Sequence, residues 1–529
     1  MRCERLIRRC LLLVVALTSA GSSAVGQIEG GPSESRRHRY FLKQRTSILD
    51  DLRFELRQVS DWCFQRGLEQ AAVDVTQLSL DITMDGPKIQ PPQLVALPIS
   101  QKLPEAQRQW RERVQKLRQE SAKKLYSLAR KALRAKLPSV AFRLVEDVLR
   151  LDPDQKNARG ILGQQQFNDP LRDDDQTYAG EWVSPYEAKQ RGGRVPHILH
   201  ERFGWIPRDY EARYEQGMRP WKGTWITVQK EALIRSDFRN AWEIESEHFL
   251  VKTNVGLEEG VVFSRQLEIY YRWLHHNFAA FFDTPRELES RFRRASVRGR
   301  MRTESPMKVL YFATREEYLR RIRGKVPPEI DTNGLYWQPD STCYFFKNDH
   351  GLDTMFHEAT HQIFDLPTRR ARKTAATQLA RLRRQRPQEW ILGGDSEFWL
   401  IEGLACYFES FRVEDGAITV GRPDHIRIVA ARTRLLRDNF YMPLEMFCRL
   451  GKDDFQHHAN VKQLYSQASG VAHFLMHYDD GRYRDDLVRL LTSMYRPDAR
   501  NLQHRPNLST ITGVPFATLD QQYRAHMSQ

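Results

Sequence analysis

His357-Glu358-Ala359-Thr360-His361 places two imidazoles four residues apart with a carboxylate next to the first. On a helix, residues four apart share a face, so both rings can reach one ion. Imidazole suits Zn2+, and Glu358 adjoins the pair without standing between the ligands. That is the arrangement for a carboxylate that takes a proton from a metal-held water. In a chain of 529 residues with 16 His, chance matches to this pattern number roughly 0.03. The motif is therefore informative.

Two His leave one protein ligand to find. A metzincin would place Gly and His three and six positions after His361, where this chain has Phe364 and Pro367. A carboxylate on a later helix is the alternative. Glu402 stands among Trp399, Leu400, Leu404 and Phe408, and a charge set among apolar residues is costly to bury unless paired or bound to metal. Glu409, two turns on, is a fallback ligand or a partner for a His ring N–H. Asp353 and Asp365, four residues from each His, could orient the rings in the same way.

Helical and strand periodicities supply the elements that hold these groups. Leu352, Met355, Phe356, Ala359 and Ile363 form one stripe, which predicts a helix under the two His. Residues 248–253 and 307–313 read as strands, and 257–282 as a long helix. Thr314 and Glu317 open another helix as a capping box. Residues 335–346 read as a hairpin turning at Pro339-Asp340. After Gly351 the pattern is mostly helical. The fold class is α+β: a small mixed sheet followed by helices, preceded by a mainly helical N-terminal region.

The residues "EHFLVKT", "GLYWQPDSTCYFF", "HEATHQ" and "WLIEGLACYFES", in this order, carry a resemblance. HExxH followed by a W-x-x-E-G-x-A helix resembles the gluzincin superfamily of zinc metallopeptidases. More narrowly, it is similar to an uncharacterised family of exported bacterial proteins, over roughly residues 246–529. The resemblance implies Zn2+ bound by His357, His361 and Glu402, with Glu358 as general base. It implies an oxyanion donor on the helix of "LYSQASGVAHFLMHY", either Tyr465 or His473. It also implies that the strand before the His helix borders the cleft and pairs with an extended peptide. In thermolysin-like relatives a carboxylate four residues after the third ligand supports a zinc His. Here that position is Cys406, which leaves the support of the ring undetermined.

The rest of the chain sets the context. It carries 82 Lys or Arg against 67 Asp or Glu, a formal charge of +15, with 40% hydrophobic residues. That composition excludes collagen, a low-complexity disordered chain and a multi-span membrane protein. Residues 1–26 read as a signal peptide, with Arg2, Arg5, Arg8 and Arg9 before an apolar run too short to anchor. Its removal leaves no membrane span and predicts an exported protein of the periplasm, cell envelope or exterior. The remaining Cys63, Cys343, Cys406 and Cys448 are far apart and read as buried thiols.

Domain boundaries follow the composition shifts. Residues 27–103 form a helical and Pro-rich region, and 104–165 a helical hairpin of tetratricopeptide-like pattern. Residues 166–243 read as an irregular connector, and 244–529 as the gluzincin-like domain. Between the ligands, residues 369–386 form a basic amphipathic helix with Arg369, Arg370, Arg372, Lys373, Arg381, Arg383, Arg384 and Arg386. Its cations suit anionic cell-envelope polymers; no nucleic acid is expected.

The expected activity is hydrolysis of peptide or protein substrates. An endopeptidase is favoured, because no group that captures a free amine stands out. The alternative is an inactive or non-peptidase relative that binds peptides or acts in cell-envelope interactions.

Overall fold

The computed structural model describes residues 32–82, 89–90, 99–100, 102–168, 180–294, 305–327, 332–348, 351–383, 391–414, 417–497 and 506–529. The expected signal peptide lies outside these residues, as do Arg384 and Arg386 of the basic segment. Among the described residues, no helix is long and apolar enough to cross a membrane.

Four helices open the described chain: α1 (Pro32–Gln65), α2 (Glu69–Asp81), α3 (Glu105–Arg134) and α4 (Pro138–Leu151). They bury one another's apolar stripes. Leu52, Leu56 and Val59 of α1 meet Val114 and Leu125 of α3 and Leu144, Val145 and Val148 of α4. One buried ion pair crosses this core: Arg45 Nε and Nη2 donate to Asp147 Oδ2 and Oδ1 at 2.6 and 2.9 Å. The fork geometry satisfies both charges where water is excluded. The arm after α4 is a short helix, Lys156–Ile161. The same core takes in Ala279, Leu288 and Phe292 from the second half, so the helical region is docked onto it.

Residues 166–243, expected to be irregular, contain much of three small antiparallel hairpins: 165–167 with 181–183, 197–200 with 204–207, and 218–221 with 224–227. Strands of three or four residues are too short for alternation to show in the sequence. Stacked side chains knit them instead, with the Arg219 guanidinium over Phe203 and Tyr214 at 4.6 and 4.7 Å.

The α+β expectation holds: a small mixed sheet is followed by helices. The sheet comprises β1 (Trp242–Glu245), β2 (Phe249–Thr253), β3 (Met307–Phe312), β4 (Gly334–Trp337) and β5 (Thr342–Phe346), in the order β4-β5-β3-β2-β1. β3 runs parallel to β2 and β5, while β4 pairs antiparallel with β5 at the edge. β1 is a strand the sequence reading missed, since it starts where the irregular connector was expected to end. The predicted long helix ends earlier than expected, as α5 (Leu257–Asn277), followed by a short turn of helix at Ala279–Phe282. β5 is buried throughout. One face of the sheet packs Val251, Val309, Cys343 and Phe345 against α5 and α6 (Gly351–Asp365). On the other, Tyr344 and Phe346 cover a short helix, Arg315–Ile322, which Thr314 caps by accepting from Glu317 N at 3.2 Å.

The remaining helices that frame the site are α7 (Arg369–Arg383), α8 (Phe398–Phe408), α9 (Ile426–Leu436) and α10 (Val461–His477). α8 and α10 touch at Gly403, where an added Cβ would lie 2.6 Å from the carbonyl oxygen of Ala468. Only a residue without a side chain permits that approach. We expect Gly403→Ala to push the two helices apart at a cost of about 1–3 kcal/mol, read as a lowered melting temperature.

Glu397, immediately before α8, is buried with φ of 59°. Its Oε2 accepts from Trp399 Nε1 at 2.5 Å. Burial pushes this carboxyl up to about 7, with hydrogen bonds from Trp399 and Cys448 opposing. The folded value exceeds the unfolded one, so the folded state binds this proton more tightly. Stability is then fullest below pH ~4.5 and falls as pH rises through about 7. Glu397→Gln should flatten that decline, raising the melting temperature relative to wild type at pH 8 but not at pH 5.

Candidate metal centre

α6 buries Met355, Phe356, Ala359 and Ile363 against the sheet and α5, as its stripe predicts, although Leu352 is exposed. Buried Tyr270 of α5 bonds the Thr360 hydroxyl at 2.6 Å, which fixes the helix's rotation. His357 and His361 therefore leave the same face toward α8, their ring centroids 5.0 Å apart.

Glu402 meets them there. Its Oε2 lies 3.6 Å from His357 Nε2, and its Oε1 lies 3.9 Å from His361 Nε2. The three residues offer ligand atoms within 4.8 Å of one another. A tetrahedral zinc with ligands at about 2.0–2.1 Å spaces them roughly 3.4 Å apart. Small side-chain rotations close the difference. Two imidazoles and one carboxylate also form a known catalytic zinc set, leaving a position for water. On spacing and donor chemistry, the residues fit zinc.

The two rings differ in their electrostatics: burial opposes the charge on His357, but its hydrogen bonds with Cys406, Glu402 and Glu409 hold that ring well above its ordinary pKa. Burial disfavours ionised Glu402, but the hydrogen bond to His357 and the histidine charges outweigh it, holding the carboxyl below its ordinary value. Burial pushes the His361 ring down toward the neutral form that ligates metals.

The far side of His357 is held separately. Its Nδ1–H donates to Glu409 Oε1 at 2.9 Å. Glu409 in turn accepts from Arg427 of α9, Nε to Oε2 at 2.6 Å and Nη2 to Oε1 at 2.8 Å. This fixes the tautomer that leaves Nε2 facing Glu402. Cys406 joins His357 and Glu409 in a second group of possible ligands. The hydrogen-bonding distance and the Arg427 fork make Glu409 an orienting carboxylate there. The support left undetermined by Cys406 thus comes from three residues further along α8, just past its end.

Asp353 and Asp365 do not orient the rings. Asp353 accepts from Arg412 and lies 3.8 Å from His425 Nε2. Buried Asp365 accepts from Tyr336, Gln338, Arg369 and Arg372. Arg369 and Arg372 thus turn inward, and among the described cations of the basic segment Arg370, Lys373 and Arg381 face solvent.

Glu358 lies beside the edge strand, where its Oε2 accepts the backbone N–H of Tyr336 at 2.6 Å. In antiparallel pairing, successive residues face alternately toward and away from the partner. Tyr336 therefore directs its backbone groups away from β5, toward the site. Gly334 permits the close contact: a Cβ there would lie 2.4 Å from Thr354 Cγ2 and 3.1 Å from Glu358 Cγ.

Tyr465 of α10 packs edge-on to Phe455 with ring centroids 5.3 Å apart. Burial, then the charge of Glu402, raise its pKa above the usual tyrosine range. His473 belongs to another cluster. It is buried, its Nε2–H donates to Gly421 O at 3.1 Å, and its Nδ1 pairs with His526 Nε2 at 2.9 Å. Both nitrogens face partners other than the candidate ligands.

No family model, curated protein or solved structure matches the chain.

Replacing His357, His361 or Glu402 with Ala should abolish stoichiometric zinc in the purified protein, measured by elemental analysis. Glu409→Ala should weaken zinc affinity about 10- to 100-fold, whereas Cys406→Ala should leave it near wild type. The reverse order would make the Cys406 group the metal site.

Proposed function

We propose that the chain is an exported zinc-dependent peptidase with a gluzincin-type site, acting on peptide or protein substrates. The convergence of His357, His361 and Glu402 on a space sized for one cation, with Glu358 on the same helix, carries this reading. Zinc held there supplies Lewis acidity to a water and to the scissile carbonyl.

The chain's own residues do the rest. The Tyr336 amide holds Glu358 Oε2, which leaves Oε1 to accept a proton from the attacking water. The same oxygen returns the proton to the leaving nitrogen as the C–N bond breaks. The raised pKa of Tyr465 keeps its phenol protonated at neutral pH, so it can donate to the oxyanion. An extended substrate lies along β4 and donates an amide N–H to the outward Tyr336 carbonyl. Such backbone pairing gives affinity with little sequence preference, which suits an endopeptidase. Arg370, Lys373 and Arg381 form a basic face on the helix next to β4, suited to anionic cell-envelope polymers.

Glu358→Gln should retain zinc and fold while losing peptide hydrolysis by a factor of about 10² to 10⁴, measured on a peptide library digested by the zinc-loaded wild type. Absence of cleavage by that wild type would refute the proposal.

A further inference from the structure

The basic helix α7 looks like an insertion between ligand-bearing elements, yet its first turn is built into the site. Arg369 Nε donates to Asp365 Oδ2 at 2.6 Å, and its Nη2 donates to the Tyr336 hydroxyl at 2.8 Å. Its Nη1 donates to Ser341 Oγ at 2.5 Å. Arg372 donates to the other Asp365 oxygen. The Tyr336 hydroxyl itself donates to Asp365 Oδ2 at 2.6 Å. Burial and the Asp365 charge raise the pKa of that phenol, keeping it a donor. One guanidinium thus grips the last turn of α6, the edge strand and the turn after it.

Tyr336 is gripped at both ends. Its side chain is tied to Asp365 and Arg369, and its backbone N–H is tied to Glu358. The tethers to Asp365 and Glu358 both end on α6, at positions seven residues apart. We propose that Arg369, Arg372, Asp365 and Tyr336 form a clamp that positions the general base, by fixing the edge strand where its amide aims Glu358. This rests on the peptidase reading for its catalytic consequence, and these are positioning residues. It gives the basic insertion a role that its composition alone does not show: two of its cations hold the site together. A charge-assisted hydrogen bond in a water-poor setting stabilises by more than a neutral one, so loosening the clamp should be measurable.

The test uses the full chain with Glu358→Ala, Tyr336→Phe, Arg369→Gln and the milder Gln338→Ala, which removes one donor to Asp365 at 3.2 Å. Hydrogen exchange at the Tyr336 amide should accelerate about tenfold or more in Glu358→Ala, Tyr336→Phe and Arg369→Gln. It should accelerate less in Gln338→Ala. Zinc content should stay at the wild-type level in the Tyr336, Arg369 and Gln338 variants. On any peptide the wild type cleaves, Tyr336→Phe and Arg369→Gln should lower kcat about tenfold with KM within about twofold. Wild-type exchange and kcat in those two variants would overturn the clamp, as would loss of zinc and melting temperature in parallel with kcat, including in Gln338→Ala. If the wild type cleaves nothing, the peptidase reading fails, and the exchange measurements alone decide whether the clamp exists.

Discussion

A carboxylate on an otherwise apolar helix is the constraint around which the second half is arranged. α8 buries every residue except Glu402, which is only partly exposed, and an ionised carboxylate left without a partner there would be costly. Two histidines opposite it supply compensation, and a divalent cation would supply more. Everything nearby serves that meeting. α6 must be rotated so that both rings face α8, which the Tyr270–Thr360 bond secures. α8 must lie close to α10, which Gly403 permits.

Polarity then extends outward in layers. Glu409 steadies the ring of His357 and is itself neutralised by Arg427. Asp365 is neutralised by two arginines. Glu409 and Asp365 are each answered by a cation on a different helix, so these pairs also tie α9 and α7 to the ligand helices.

The legible parts of the sequence were those written in local spacing. Two His four apart, the stripe of α6 and the lone acid of α8 point to a shared centre because helical periodicity converts spacing into direction. The α+β order was readable for the same reason, from runs long enough to show a period. The hairpins of residues 166–243 were not, since their strands are shorter than the pattern that would reveal them. Nor were Arg427, Arg369 and Arg372, because nothing local tells a paired arginine from a solvated one. The contact of Glu358 with Tyr336 uses a backbone amide, which has no letter in the sequence. His473 shows the opposite error: a residue type suited to catalysis, on the expected helix, that faces Gly421 and His526.

The docking of the N-terminal helices has a consequence for how the chain reaches this form. The start of α4 is closed by Asp485, which accepts from Ser139 N and Oγ at 3.0 and 2.8 Å across 346 residues of sequence. Ala279, Leu288 and Phe292 likewise enter the core built by the first four helices. During synthesis those helices emerge long before the segments that complete them. They wait with an unfinished apolar surface, open to wrong partners, until residues 279–292 follow, and the start of α4 stays open until Asp485 emerges.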